Sequence, residues 1–317
     1  MSLAVGRFRR LFLGISPTET TFAKRGFHTG KSDAWQRLER SASTFVRGYH
    51  AALESDNFAA LVPRLEQVEE DVRGFAYEGA AMGLAMLDFF LPWKQRLPAF
   101  MSEGGAPHIY MLHVGLGWTF ARLPRKRASV LSHYDPLLKW LALDGYGFHE
   151  GFFSWQRALH LHKRPPHLLG YELRAFDQGL GRSLWFVEGA DVRRIANAVS
   201  TFPPSRQPDL WSGVGLACAY AGGAQSEEIR ELCSAAGPHY PHLAQGVAFA
   251  VKARQQAHNF TEHTRLACEL VCHLPPDGAV QVVETALQDL PFDHGEPAFE
   301  IWRQRIQFSF KPSAVDA

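Results

Sequence analysis

Only four cysteines occur in 317 residues, Cys218, Cys233, Cys268 and Cys272, and no two form a CxxC pair. Thiols this scarce, set in apolar helical contexts, exclude a disulfide framework and read as the reduced side chains of a cytoplasmic protein. Charge of one sign is lacking as well. Lys and Arg number 33 against 32 Asp and Glu, a net +1, so no global field and no basic stripe points to nucleic acid. Long apolar runs are missing. The opening MSLAVGRFRRLFLGISP has no apolar run longer than Leu11 to Leu13, too short for the centre of a signal peptide. Nowhere does the chain reach the ~18 apolar residues that span a bilayer. The opening therefore reads as a short amphipathic lead-in docked on the body. No GxSxG, HExxH, Walker loop or zinc-finger spacing occurs, so no motif assigns a reaction.

What is present in quantity is apolar and aromatic. Hydrophobic residues make up 46% of the chain and aromatics 12%, with 23 Phe and 8 Trp, which calls for a large core or an aromatic-lined cavity. Glycine recurs in one phrase: Glu78-Gly79, Val114-Gly115, Asp144-Gly145, Gln178-Gly179, Ser212-Gly213 and Gln245-Gly246, at spacings of 36, 30, 34, 34 and 33 residues. Around each phrase lies an apolar helical pattern, then a break, then a more polar helix. The clearest copy runs from Phe176, breaks at Glu188-Gly189, restarts at Asp191 and stops at Pro203-Pro204. The next restarts with Ser226 as N-cap, and a third restarts near Thr261. Two helices per ~34 residues predict an all-α fold, a tetratricopeptide-like α/α solenoid or a closed α/α ring, with the first helix of each pair inside. The expected organisation is a helical lead-in over residues 1–55, a repeat domain over 56–310 and a disordered tail over 311–317.

Glycine inside a helix costs about 1 kcal/mol relative to alanine. Two readings offset that cost: close approach of neighbouring helices, or a channel opened along the inner face. The residue before the glycine is polar in five copies, Glu78, Asp144, Gln178, Ser212 and Gln245, and the residue one turn on includes Trp118, Phe148 and Arg182. Either these face a common aromatic cavity, or the polar residues form a hydrogen-bonded ladder between stacked helices. The richest polar stretch, Asp144 to Trp155, puts Asp144, His149 and Glu150 among Phe148, Phe152 and Trp155; it suits proton transfer in an apolar pocket, or else an inter-helix contact. Asp177, Gln178 and Arg182 form a similar group near Trp185, with Arg182 free to pair with a substrate anion or with Asp177. The GxG phrases lack the third glycine and the preceding strand of a dinucleotide site. Neither His160-Leu161-His162 nor Cys268 with Cys272 has convincing ligand geometry, so no metal and no cofactor is expected.

Several strings carry a resemblance: RRLFLGISPTETTFAKRGF, LALDGYGFHEGFF, AFDQGLGRSLWFVEGADVRRIA, LWSGVGLACAYAGG, HLAQGVAFAVKARQQAHN and EIWRQRIQ. Together they resemble an uncharacterised bacterial family, a domain of unknown function encoded in enediyne and related natural-product gene clusters. The resemblance covers nearly the whole chain and implies a protein that handles a long apolar polyene or isoprenoid chain. It brings no catalytic residue set.

Two functions follow as expectations. One is a cyclase-type biosynthetic protein in which a buried carboxylic acid (Asp144, Glu150 or Asp177) protonates a double bond and Phe148, Phe152, Trp155 and Trp185 stabilise the cation. The other is a non-catalytic solenoid that scaffolds partner biosynthetic enzymes on its concave face.

Overall fold

Apolar residues at helical intervals, punctuated by Pro and Gly, give seventeen α-helices and no β-strand among the described residues, which in this computed structural model are 3–30, 33–123, 127–291 and 295–311. In chain order they are α1 (Leu3–Leu13), α2 (Phe22–Arg25), α3 (Ala34–Glu54), α4 (Phe58–Glu66), α5 (Glu70–Phe90), α6 (Arg96–Ser102), α7 (Ile109–Arg122), α8 (Arg127–Leu131) and α9 (Trp140–Phe153). Then follow α10 (Tyr171–Val187), α11 (Val192–Ser200), α12 (Gln207–Ala221), α13 (Ser226–Ala236), α14 (Tyr240–Gln256), α15 (Glu262–Ala267), α16 (Pro276–Thr285) and α17 (Ala298–Ser309). The tail expected over 311–317 lies, beyond Lys311, outside the described residues.

The restarts are set by local chemistry. Asp191 caps α11 by accepting from the Arg193 and Arg194 N–H groups, and Thr261 caps α15 through the N–H of Thr264. The cap of α13 falls one residue before Ser226: Gln225 and Glu228 form a reciprocal capping box, and Ser226 is the first helical residue.

Helices α3, α5, α7, α9, α10, α12 and α14 pack side by side in that order, with the shorter helices returning outside them. The GxG phrase explains how. Residues two apart point about 200° apart around a helix, so the two glycines face opposite neighbours. Gly179 lies against the Asp144 carbonyl of α9, and Gly181 against the Leu210 carbonyl of α12; a Cβ on either would collide with backbone. The phrases in α7, α9 and α12 repeat the rule, the first glycine on the helix before and the second on the helix after. In α14, last of the row, Ala248 replaces the second glycine.

Contacts also join helices that are not neighbours in the row. Arg37 of α3 donates to the Ala221 carbonyl at 3.0 Å, Arg254 of α14 to the Asp71 carbonyl at 2.8 Å, and Phe75 meets Tyr220 edge-on at 5.4 Å. Inner faces therefore close on one another. α3, within the 1–55 segment, packs along α5 as part of this row.

Candidate functional site at the helix axis

The residue before each first glycine is turned about 100° from it, toward the axis. Glu78, Asp144, Gln178, Ser212 and Gln245 are all buried there, and they are joined. Arg182 of α10 pairs with Asp144 and stands 4.0 Å from Glu78. Gln178 donates to Asp144 at 2.8 Å, and Ser212 lies 3.3 Å from the Gln178 Oε1 and 2.9 Å from that of Gln245. Arg303 of α17 donates to Gln245 at 3.1 Å, extending the chain to Asp209 and Glu300. Where α7 has apolar Val114 before its glycine, Trp118 one turn later supplies the polar contact, donating its indole N–H to Glu78 at 2.9 Å. The hydrogen-bonded ladder is thus the arrangement found, and it satisfies most of these buried polar groups, leaving Gln245 Nε2 and Arg303 Nη2 without a partner among the described residues.

Two apolar crevices lie on either side of the Glu78–Arg182 contact. The first has Glu78 in its wall with Phe45, Trp118, Phe148, Phe152 and Phe186. The second has Arg182 and Tyr220 with Val114, Leu216, Phe249 and Trp302. Trp118 is the hinge of the first, stacked on Phe45 at 4.0 Å and tilted against Phe148 at 5.4 Å. The rings fill most of this space. About 20 Å³ and 30 Å³ remain, each enough for a water or two.

Burial pushes the Glu78 carboxyl up to about 7; Arg182 and the Trp118 indole pull the other way, and Asp144 adds to the rise. Burial opposes the charge of Arg182, but Asp144 and Glu78 outweigh it and leave its pKa raised. The node therefore contains one carboxyl paired with a guanidinium and a second that holds a proton near neutral pH. Between the ordinary glutamate value and about 7, folded Glu78 keeps a proton that the unfolded chain has lost, so its contribution to stability falls as pH rises. Glu78→Gln is expected to remove roughly 2–3 kcal/mol of this decline between pH 5 and pH 8. Urea titrations of both proteins at the two pH values check it, and parallel pH profiles would refute the assignment.

The other predicted residues separate. Phe148 and Phe152 line the first crevice with Trp118 and Glu78. Trp155 donates to the Arg25 carbonyl and Trp185 to the Gly222 carbonyl, both outside the two crevices. His149 and Glu150 contact each other at 3.3 Å, partly exposed, with burial lowering the histidine and Glu150 opposing that. His149 meets Trp118 edge-on at 5.5 Å, so this pair borders the crevice. Asp177 faces the other way, held by Arg164 and Arg206. Phe45 and Arg303 join the axis without having stood out in the sequence. Phe45 comes from α3, which carries no copy of the phrase, and Arg303 from α17, 58 residues beyond Gln245. Among the described residues no three His, Cys, Asp or Glu side chains converge as a metal site, and no helix is long and apolar enough to cross a membrane.

No curated protein and no solved structure matches the chain. A family model described as "Protein of unknown function (DUF1702)" matches residues 4–310, spanning every inner helix and both crevices. The chain belongs to the DUF1702 family.

Proposed function

We propose that this protein binds a long apolar polyene or isoprenoid chain between its aromatic inner helix faces, in cytoplasmic secondary-metabolite biosynthesis of the enediyne type, and that Glu78 is the acid of a cyclase-type reaction. The observation that carries this reading is a buried carboxyl with its pKa near 7 in the wall of an aromatic crevice. An acid tuned to the working pH is the form general acid catalysis requires. In the reaction, the Glu78 proton passes to one carbon of a double bond. The adjacent cation is attacked by a second double bond of the same chain, closing a ring. Loss of a proton back to the Glu78 carboxylate leaves an isomer of the substrate. Phe45, Trp118 and Phe148 present ring faces to the cation. Asp144, Glu150 and Asp177 suit this role less, since Arg182 occupies the first, the second is partly exposed beside His149, and two arginines hold the third.

The rings now filling the crevice have to swing aside to admit a chain. We read the whole as a tightly wound α/α repeat array of ~34-residue helix pairs, supported by the glycine-to-carbonyl contacts between successive inner helices. A scaffold for partner enzymes needs an open concave groove, and the inner faces here close on one another.

The test is incubation of the protein with conjugated polyenes and with prenyl diphosphates, followed by mass spectrometry and chromatography for isomers of unchanged mass. A new isomer that disappears with Glu78→Gln, whose fold is verified by circular dichroism, is the expected result. Product formation by Glu78→Gln equal to that of the parent protein would remove Glu78 from the chemistry. Absence of both product and Trp fluorescence quenching by the polyenes would remove the binding reading itself.

A further inference from the structure

The lead-in helix α1 does dock on the body, but with only one face. Gly6 lies against the Glu54 carbonyl and the Leu13 carbonyl accepts from Tyr49 at 2.8 Å. The opposite face is apolar and open: Phe8 is 62%, Leu11 80% and Phe12 68% exposed, with Val5 beside them. These four fall within an arc of about 120° around the helix. Arginines border it, Arg9 along one edge and Arg7 along the other, while Arg10 lies on the docked side against Glu54.

The neighbouring surface repeats both features. Arg9 and Arg96 share Asp56, at 3.4 and 2.6 Å, which puts the turn after α5 at the same end of the molecule as α1. That turn exposes Phe90 and Trp93. Beside α1 opens a pocket of about 270 Å³ whose walls include Arg10, Arg47 and Arg64. Its carboxylate, Glu54, is shared between Arg10 and Arg64 at 2.5 and 2.8 Å. Arg47 forms no ion pair among the described residues. His50 in the same pocket accepts the Ile15 N–H at 3.2 Å, and burial lowers its pKa, so it adds no charge at neutral pH.

We propose that α1 and the Phe90–Trp93 turn seat on an anionic phospholipid surface, with phospholipid phosphate entering the Arg10, Arg47 and Arg64 pocket. An exposed apolar stripe flanked by arginines is the arrangement that lies in a bilayer interface, where acyl chains take the rings and headgroups take the guanidiniums. Charge complementarity selects this occupant over a second copy of the chain. A two-fold contact would set the same arginine-bordered stripes against each other, whereas anionic headgroups neutralise them.

Flotation of the full chain with vesicles of phosphatidylglycerol and phosphatidylcholine, and with phosphatidylcholine alone, tests this. Binding to the anionic vesicles is expected, weakening with added salt as exposed charges are screened. The variant Phe8→Ser, Leu11→Ser, Phe12→Ser changes only exposed side chains and is expected to float about tenfold less or worse. Arg7→Ala with Arg47→Ala is expected to lower affinity for anionic vesicles about fivefold per arginine and to leave binding to phosphatidylcholine unchanged. Should the triple variant fold poorly, the single change Leu11→Glu and the vesicle-induced blue shift lost in Trp93→Phe report the same contact. No flotation on anionic vesicles at low salt, equal flotation of a folded α1 variant, or dimerisation through α1 without vesicle binding would overturn the idea. None of these outcomes depends on Glu78 or the crevices.

Discussion

Replacing Arg303 by Met is expected to lower the unfolding free energy by about 3–5 kcal/mol, the cost of leaving buried charges without their partner. Arg303 is fully buried and touches four groups: Asp209 at 2.8 Å, Glu300 at 3.0 Å, Gln245 at 3.1 Å and the Tyr171 hydroxyl at 3.3 Å. Methionine fills similar volume with no charge, leaving two buried carboxylates to Arg174, which is itself partly exposed. Burial raises the Asp209 pKa, but Arg303 and Arg174 outweigh it and hold the carboxyl below its usual range. A depressed carboxylate stabilises the fold at neutral pH and loses that contribution as pH falls through the acid range. The deficit of the variant is therefore expected to shrink below about pH 4. Urea unfolding at pH 7 and in acid measures both effects, and a loss under about 1 kcal/mol at pH 7 would show that the cluster is not what anchors α17. Arg303→Lys should fall between, because one ammonium cannot reproduce a fork that reaches Gln245 and Asp209 together.

Gly179→Ala is expected to destabilise by about 3 kcal/mol, although alanine is the better helix former by about 1 kcal/mol. The new methyl would meet the Asp144 carbonyl and the Phe148 N–H of α9, backbone groups that cannot rotate away. Either α9 and α10 separate or the helix shifts, and the Gln178–Asp144 and Arg182–Asp144 contacts stretch with it. The contrast is Gly278 in α16, where an added Cβ finds its nearest neighbours at an ordinary 3.5 Å. There Gly278→Ala should stabilise by up to about 1 kcal/mol. Thermal melts of the two variants are thus expected to move in opposite directions. If both rise, the helix-packing account of the phrase fails.

The contrast between these glycines shows what was readable. Each close approach needs a missing Cβ in its own copy, so the requirement is written in every copy's letters and its period reveals the helix pairs. Asp144 and Asp177 differ by one position relative to the phrase. That single step, about 100° of helix, sends Asp144 to the axis and Asp177 to Arg164 and Arg206 outside. A helical wheel drawn from the glycine contains this distinction; composition and local richness in polar residues do not. Arg303 left no such signal, because α17 lies outside the glycine period and reaches the axis through tertiary packing against α14 and α16. The prominence of Glu78 also arose from three dimensions: its raised pKa comes from burial against rings from α3, α7 and α9, far apart in the chain.

By itself, then, the sequence determined an all-helical chain, the helix pairs, and a polar residue beside each glycine, because those depend on periodicity and on contacts that every copy must make alone. The tertiary structure decided that the polar residues join into one ladder, that Glu78 is the carboxyl fronting the aromatic crevice, and that α5 meets α12 and α14. Those depend on which faces oppose one another once the row has curved, and curvature is the sum of many small packing offsets that no single copy encodes.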